Sequence, residues 1–311
     1  MIVIAREKEI TFSLLINYKI EFISLSSHKK SYFLKAVNYL ARWIKTYRIC
    51  KKIKPDISIG IGDFILPQVS RLLHFKSIVF TDIESVIHDP VLTFPFASKI
   101  LTPKTYIKDL GHKQIRINSY KECAYINDNF CPDPLIFNDL GIDKDEKYIV
   151  IRFVSHASAH DIGYKGIIDK LKLKAVNILK QYAEIFISSE DPLPDSLKKY
   201  QLCIRPEKIH SVLYYSSLVY GESSTMAAEA ALMGTPAIFI DNNNRGYTKD
   251  IELKSGLLFN FTLKNNGLTK SLEKGMDIIK SDIKKTCNPI KGCEDISEFI
   301  INFLTYHGNQ S

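Results

Sequence analysis

Residues 221–240 read GESSTMAAEAALMGTPAIFI, with five alanines and two glycines set around the carboxylate of Glu229. A plain core helix has no use for that carboxylate, so the stretch is expected to hold something. The preceding LVYG is a strand that ends on Gly221, ESS is a loop, and TMAAEAALM is a helix that stops at Gly234, before the strand TPAIFI. Such a unit points a helix N-terminus at the carboxyl edge of a parallel sheet. The N–H groups around Ser224, Thr225 and Met226, reinforced by the helix dipole, suit a phosphate. The hydroxyls of Ser223, Ser224 and Thr225 add donors.

Glu229 is no capping-box partner, because that carboxylate would stand three residues after the cap, where the chain has Met226. It follows Thr225 by four residues, on the same face and about 6 Å deeper. From there it can accept hydrogen bonds from both hydroxyls of a ribose, each worth about 1.5–3 kcal/mol when charge-assisted. The competing interpretation is a capped surface helix with a solvated Glu.

Outward from this unit, short apolar runs alternate with helix-period segments. Strands are expected at 2–5, 20–25, 57–61, 77–80, 99–101 and 114–117, then at 148–154, 185–188, 218–220, 237–240 and 257–259. That alternation reads as βαβ units, hence parallel sheets covered by helices on both faces. At 311 residues the chain exceeds what one core usually serves. The Pro, Gly and charge cluster in CPDPLIFNDLGIDKDEK puts a boundary near 130–146, giving domains at 1–140 and 141–311. The closing EDISEFIINFLTYH is an amphipathic helix that can pack back on the first domain. At the other end, IVIA runs into REKEITFSLLINY without a glycine-bearing loop, so either this domain is unusual or a leading strand and helix are absent from the chain as given.

No run of about 20 apolar residues exists, and the start lacks a signal-peptide pattern, so a cytoplasmic protein is expected. Six scattered cysteines without a CxxC pair fit reduced structural thiols. The formal charge of +8 favours anionic partners. Nine Lys or Arg and no acid fall between His28 and Lys54, with Phe33, Leu34, Val37, Leu40, Ala41, Ile44 and Tyr47 at helical spacing. One reading is a crossover helix with a solvated basic face. The sharper one rests residues 29–54 on anionic lipid at the inner face of the membrane, with Trp43 near the interface. Nucleic acid is not an expected partner, since no recognition motif accompanies the helix.

The strand, the Ser/Thr-bearing loop, a Glu five residues before Gly and then Gly-x-Pro are similar to the nucleotide-sugar half of GT-B glycosyltransferases and of UDP-N-acetylglucosamine 2-epimerases. More closely, RFVSHASAHDIGYKG, IFISSE, IRPEKIHSVLYYSSLVYGESSTMAAEAALMGTPAIFID and GLLFNF resemble the prokaryotic domain-of-unknown-function family 354. The resemblance implies an α/β, GT-B-like fold, with two Rossmann-like doubly wound domains facing a cleft. It implies that Glu229 binds ribose, that Ser223, Ser224, Thr225 and Met226 take the diphosphate, and that the stretch from Arg205 to His210, with Pro206, borders the base. The loop 155–165 would offer His160, Asp161 and Lys165, with Arg152 beneath it, although an Arg inside a strand is more often a structural ion pair. Two departures stand out: the family's opening strand and His/Pro loop are missing, and His156 replaces an expected aromatic.

His156 and His160 have HxxxH spacing but lie in loop-like sequence with no third ligand, and Asp143-Lys144-Asp145 falls in the linker, so no metal is expected. For acid–base work the first domain offers Asp63 in GIGDF and Asp82 and Glu84 in FTDIES, all at expected strand ends; Glu122 and Tyr125 also fit the family pattern. The leading expectation is a glycosyltransferase that moves a sugar from a nucleotide-sugar to a glycan or lipid-linked acceptor without a separate cofactor. The alternatives are a UDP-N-acetylglucosamine 2-epimerase-like enzyme and a truncated, non-catalytic nucleotide-binding protein.

Overall fold

The computed structural model describes residues 1–6, 10–25, 32–84, 86, 88–155, 166–243, 245–281 and 292–308, with side chains of 32–36 and 307–308 left aside. The chain divides into two compact units. The first comprises Met1–Lys104, Lys108–Ile117 and Ser297–Ser311; the second comprises Thr105–Ile107 and Asn118–Ile296.

In the first unit β1 (Val3–Ala5), α1 (Thr11–Asn17) and β2 (Phe22–Ser24) form a parallel two-stranded sheet with its crossover helix. After α2 (Tyr32–Ile53) come β3 (Ile57–Ile61), α3 (Ile65–Leu73), β4 (Lys76–Phe80), α4 (Asp89–Leu92), β5 (Lys99–Pro103) and β6 (Gln114–Ile117). Their four strands lie in sequence order, all parallel. The β3–β4 and β4–β5 connections have the length that a parallel crossover demands.

Helix α2 corrects one expectation. Tyr39, Trp43, Tyr47 and Cys50 turn inward against Ile65 and Val69 of α3. The Trp43 indole donates to Gln68 Oε1 at 3.2 Å and its ring stacks on Tyr47. Trp43 is therefore a packing residue and not a lipid-interface anchor. The physical reason is rotation: the aromatic stripe at 39, 43 and 47 buries more area than Val37, Leu40 and Ile44, which stand 51%, 58% and 38% exposed.

The second unit contains α5 (Ile136–Leu140), β7 (Tyr148–Phe153), α6 (Asp169–Leu179), β8 (Glu184–Ser189), α7 (Ile209–Tyr215), β9 (Leu218–Gly221), α8 (Ser224–Leu232), β10 (Ala237–Ile240), α9 (Gly246–Ser255), β11 (Leu258–Phe261) and α10 (Gly267–Ser281). The last helix, α11 (Ile296–Gly308), groups almost wholly with the first unit. All five strands are parallel, in the order β11-β10-β9-β7-β8. The eleven strands among the described residues fall where the sequence pattern puts them, to within a few residues at their ends. Ile149, Ile151, Ile185, Ile187, Leu218, Ile238 and Ile240 interleave with α6 and α10 in one core.

Apart from Thr105–Ile107, the second unit begins at Asn118, upstream of the 130–146 stretch. That stretch is bonded into the second unit: Asp133 N donates to Ser211 Oγ at 3.0 Å, and the Phe137 ring meets Tyr148 and Tyr215. Its prolines and glycine shape a packed connection rather than a linker.

From β7 the chain moves one way to β8 and the other way to β9, so the sheet reverses between β7 and β9. Ligands of open α/β sheets bind outside the carboxyl ends of strands at such a reversal. Here Gly221 approaches β7 so closely that an added Cβ would lie 2.1 Å from the Arg152 carbonyl oxygen, at a φ of +145°. Replacing Gly221 with Ala should therefore destabilise the second unit by about 3 kcal/mol and lower its thermal midpoint by roughly 10 °C in a circular-dichroism melt. Gly256→Ala, at φ +61° with open space around it, should cost only about 1 kcal/mol. Equal losses in the two variants would contradict the steric argument.

Candidate functional site

At the end of β9 the backbone N–H of Glu222 donates to the Arg152 carbonyl at 3.0 Å. The buried Glu222 carboxylate then accepts from Ile167 N at 2.6 Å and Val154 N at 3.3 Å. One side chain thus holds both the exit from β7 and the approach to α6. Sequence reasoning passed over Glu222; the available signal was an acid placed between a buried strand and a Ser cap.

Ser223 follows as the N-cap of α8, its hydroxyl accepting from Met226 N at 3.3 Å. Met226 therefore offers a side chain but no spare N–H. Among the described residues no hydrogen bond occupies the N–H groups of Ser224 and Thr225, which keep the donor character expected of a helix start. Seven of the nine residues of α8 are buried. The alanines are explained by enclosure on every side, between β9, β10, α7 and α9, where larger side chains would push the layers apart.

Glu229 lies inside this helix at 6% exposure. Its Oε1 accepts from the Tyr125 hydroxyl at 2.7 Å and stands 3.3 Å from His210 Nε2. The Tyr125 and His210 rings are 5.1 Å apart and tilted, and Phe130 meets both His210 and Tyr214 edge-on at 6.3 Å. Tyr125 is carried by the turn Lys121–Ala124 and His210 by α7, so two further segments converge on the carboxylate. A solvated surface Glu is excluded. Desolvation and then the Glu229 charge hold the Tyr125 phenol well above its ordinary range.

The other candidates are placed as follows. Arg152 is committed, donating to Ser188 Oγ at 2.8 Å and Glu190 Oε1 at 2.7 Å, the structural ion pair foreseen for a strand Arg. Pro206 opens the turn Pro206–Lys208 just ahead of α7. In the first unit Asp63 accepts from Ile65 N and Leu66 N, each at 3.1 Å, and so caps α3; desolvation raises its carboxyl despite these donors. Asp82 and Glu84 are buried just after β4, where the Glu84 carbonyl also accepts from Lys108 Nζ at 2.7 Å. Glu122 is fully buried, 3.6 Å from Lys121 Nζ. His156, His160, Asp161 and Lys165 lie outside the described residues. Among those described, no group of three or more His, Cys, Asp or Glu could hold a metal ion.

The phenols give a pH prediction. Tyr120, Tyr125, Tyr148 and Tyr220 are all raised from the ordinary value near 10, desolvation being the largest cause in each. Above pH 10 the unfolded chain releases these protons while the folded one keeps them, so stability present below pH 10 falls as pH rises. Absorbance at 295 nm should therefore show a late step that coincides with loss of circular dichroism. Titration of every tyrosine near pH 10 in folded protein would contradict these environments.

Comparison with solved structures shows the fold. The UDP-GlcNAc 2-epimerase of Methanocaldococcus jannaschii, in complex with UDP-GlcNAc and UDP, superposes with a TM-score of 0.63 at 15% identity, over 94% of each chain. The spinosyn rhamnosyltransferase SpnG, complexed with spinosyn aglycone, gives 0.60 at 11% identity, over 94% of this chain and 89% of that one. These likenesses make the fold GT-B-like. Among curated proteins, the uncharacterized protein MJ0665 of Methanocaldococcus jannaschii is 26% identical over 215 residues, 66% of this chain. The matched stretch spans 62% of that relative's length. The pattern of the family described as "Protein of unknown function (DUF354)" matches residues 1–260, and the chain belongs to that family.

Proposed function

We propose that the protein is a GT-B-like glycosyltransferase that takes a nucleotide-activated sugar in its second unit and passes the sugar to a glycan or lipid-linked acceptor. The observation that carries this reading is Glu229: a buried carboxylate one turn inside a helix whose Ser224 and Thr225 N–H groups no hydrogen bond among the described residues occupies. In the reading, the helix start takes the diphosphate, Ser223 and Thr225 add hydroxyls, and Glu229 receives the ribose hydroxyls, with Tyr125 and His210 fixing its orientation. The acceptor oxygen attacks the anomeric carbon, the bond to the diphosphate breaks, and the helix N-terminus stabilises the charge that leaves. Asp82 and Glu84 are the first unit's candidates for taking the acceptor proton, and His160 is the second unit's, by its sequence context alone; Asp63 already serves α3.

Calorimetry with UDP, GDP, CMP and dTDP is the direct test. One nucleotide should bind, and Glu229→Ala should weaken it about 10- to 100-fold, the equivalent of a charge-assisted bond or two. Equal binding by wild type and variant would remove the proposed pocket.

A second reading is a UDP-N-acetylglucosamine 2-epimerase, favoured by the likeness to the epimerase complex with UDP-GlcNAc and UDP. Incubation with UDP-N-acetylglucosamine alone separates the two. Release of UDP or formation of the manno isomer would favour the epimerase, whereas a transferase requires acceptor. Nucleotide binding without either reaction would leave a non-catalytic binding protein.

The lipid-linked acceptor is supported by α2. Its outward face carries Val37, Leu40 and Ile44 and then exposed Lys45, Arg48, Lys51 and Lys52. Cations near an anionic bilayer contribute about 1 kcal/mol each, and apolar neighbours add burial. No helix among the described residues is long and apolar enough to cross a membrane, so any contact through this face would be peripheral. The protein should co-sediment with phosphatidylglycerol vesicles and not with phosphatidylcholine vesicles, and a Lys45→Glu/Arg48→Glu/Lys51→Glu variant should stay in the supernatant. Sedimentation unaffected by the charge reversals would count against this face.

A further inference from the structure

We propose that Cys123 and Cys293 form a redox modification site that closes reversibly to a disulfide beside the Glu229 cluster. The two are 170 positions apart in sequence, yet the fold binds their segments together. Asn118 N donates to Glu294 Oε2 at 2.8 Å, Asn118 Nδ2 donates to the Gly292 carbonyl at 3.2 Å, and Glu294 N donates back to the Asn118 carbonyl at 3.0 Å. Three hydrogen bonds therefore flank Cys293 on both sides and hold it against the segment that leads into the turn Lys121–Ala124.

Within that frame Cys123 and Cys293 lie close enough for each sulfur to shift the other's ionisation. Cys123 is buried and Cys293 is half-exposed, so one sulfur faces a diffusing oxidant and the other waits behind it. Around them Tyr120 donates to Asp250, and Lys254 Nζ bonds Asp250 at 2.8 Å and the Tyr120 hydroxyl at 3.3 Å. The neighbouring Cys123, aided by the Lys254 cation and opposed by burial and Asp250, holds the Cys293 thiol below the ordinary thiol range. The thiolate is the nucleophile in thiol chemistry, so Cys293 attacks first and Cys123 resolves.

With hydrogen peroxide as oxidant, the Cys293 thiolate attacks one peroxide oxygen, the O–O bond breaks, and hydroxide leaves to take up a proton as water. The Cys123 thiol then attacks the resulting sulfenic sulfur; the S–S bond forms, the S–O bond breaks, and a second water carries off the Cys123 proton. Two thiols lose two electrons and one peroxide is reduced to two waters. A dithiol reverses the step by exchange. Disulfides that form transiently in a reducing compartment are of this sensing kind.

Closing the bond draws the sulfurs to about 2.05 Å. The movement acts on the turn that Tyr125 terminates, and Tyr125 holds Glu229. Oxidation should therefore alter nucleotide affinity; this consequence, unlike the bond itself, rests on the reading of Glu229 as a nucleotide ligand.

The test is peptide mass spectrometry of the full chain after equimolar hydrogen peroxide. The 123–293 cross-link should dominate and should vanish on dithiothreitol; in Cys123→Ser a dimedone adduct should appear on Cys293. The exposed Cys131 and Cys203 are internal controls. No cross-link, or oxidation of Cys131 and Cys203 as fast as Cys293, would overturn the site. UDP calorimetry on reduced and oxidised protein reads the coupling separately, with a change of at least about 5-fold expected. A cross-link that leaves measurable UDP binding unchanged would overturn the coupling alone, and failure of the reduced protein to bind any nucleotide would strike the functional reading instead.

Discussion

The second unit is organised by the contact of two backbones at the point where its sheet reverses. Gly221 can lie against the Arg152 carbonyl because it has no side chain, and that approach sets the register in which Glu222 N bonds back to β7. From this register everything downstream is placed: Glu222 holds Val154 and Ile167, Ser223 caps α8, and α8 begins at the carboxyl edge. A larger residue at 221 would separate β9 from β7 and shift the cap, the helix start and Glu229 together.

A buried carboxylate is costly unless its lone pairs are met. Glu229 meets this demand with the Tyr125 hydroxyl and His210, both from outside its own helix. The arrangement is polar, edged by the Tyr125 and His210 rings, and lies one turn from helix N–H groups that no hydrogen bond among the described residues occupies, which is why the proposed nucleoside diphosphate is assigned there. Because its partners arrive from a turn near residue 123 and from α7, anything that moves that turn acts on the carboxylate. The Cys123 and Cys293 pair occupies such a position.

The first unit teaches a different lesson. Asp63, Asp82 and Glu84 all stand beyond carboxyl strand ends, as their sequence context indicated, but position alone does not make them equivalent. Asp63 satisfies the start of α3, whereas Asp82 and Glu84 are buried beyond β4. Helix α2 shows the same gap between pattern and use. Two apolar stripes were available at helical spacing, and the aromatic one won the core because it offers more area to α3 and places the Trp43 indole and Tyr39 hydroxyl on Gln68.

The sequence by itself determined the alternation of strands and helices, the parallel sheets, the strand-loop-helix unit around Glu229 and the membership of a fold class, because apolar periodicity, glycine stops and Ser caps act over a few residues. Tertiary structure decided what local pattern cannot carry. It put 130–146 into the second unit, turned α2 on its axis, gave Glu222 its two distant N–H partners, and brought Tyr125 and His210 to Glu229 and Cys123 to Cys293. The physical reason is that these are pairings across tens to hundreds of residues, chosen by which buried groups can satisfy one another once the sheets have formed, and no short stretch of chain encodes them.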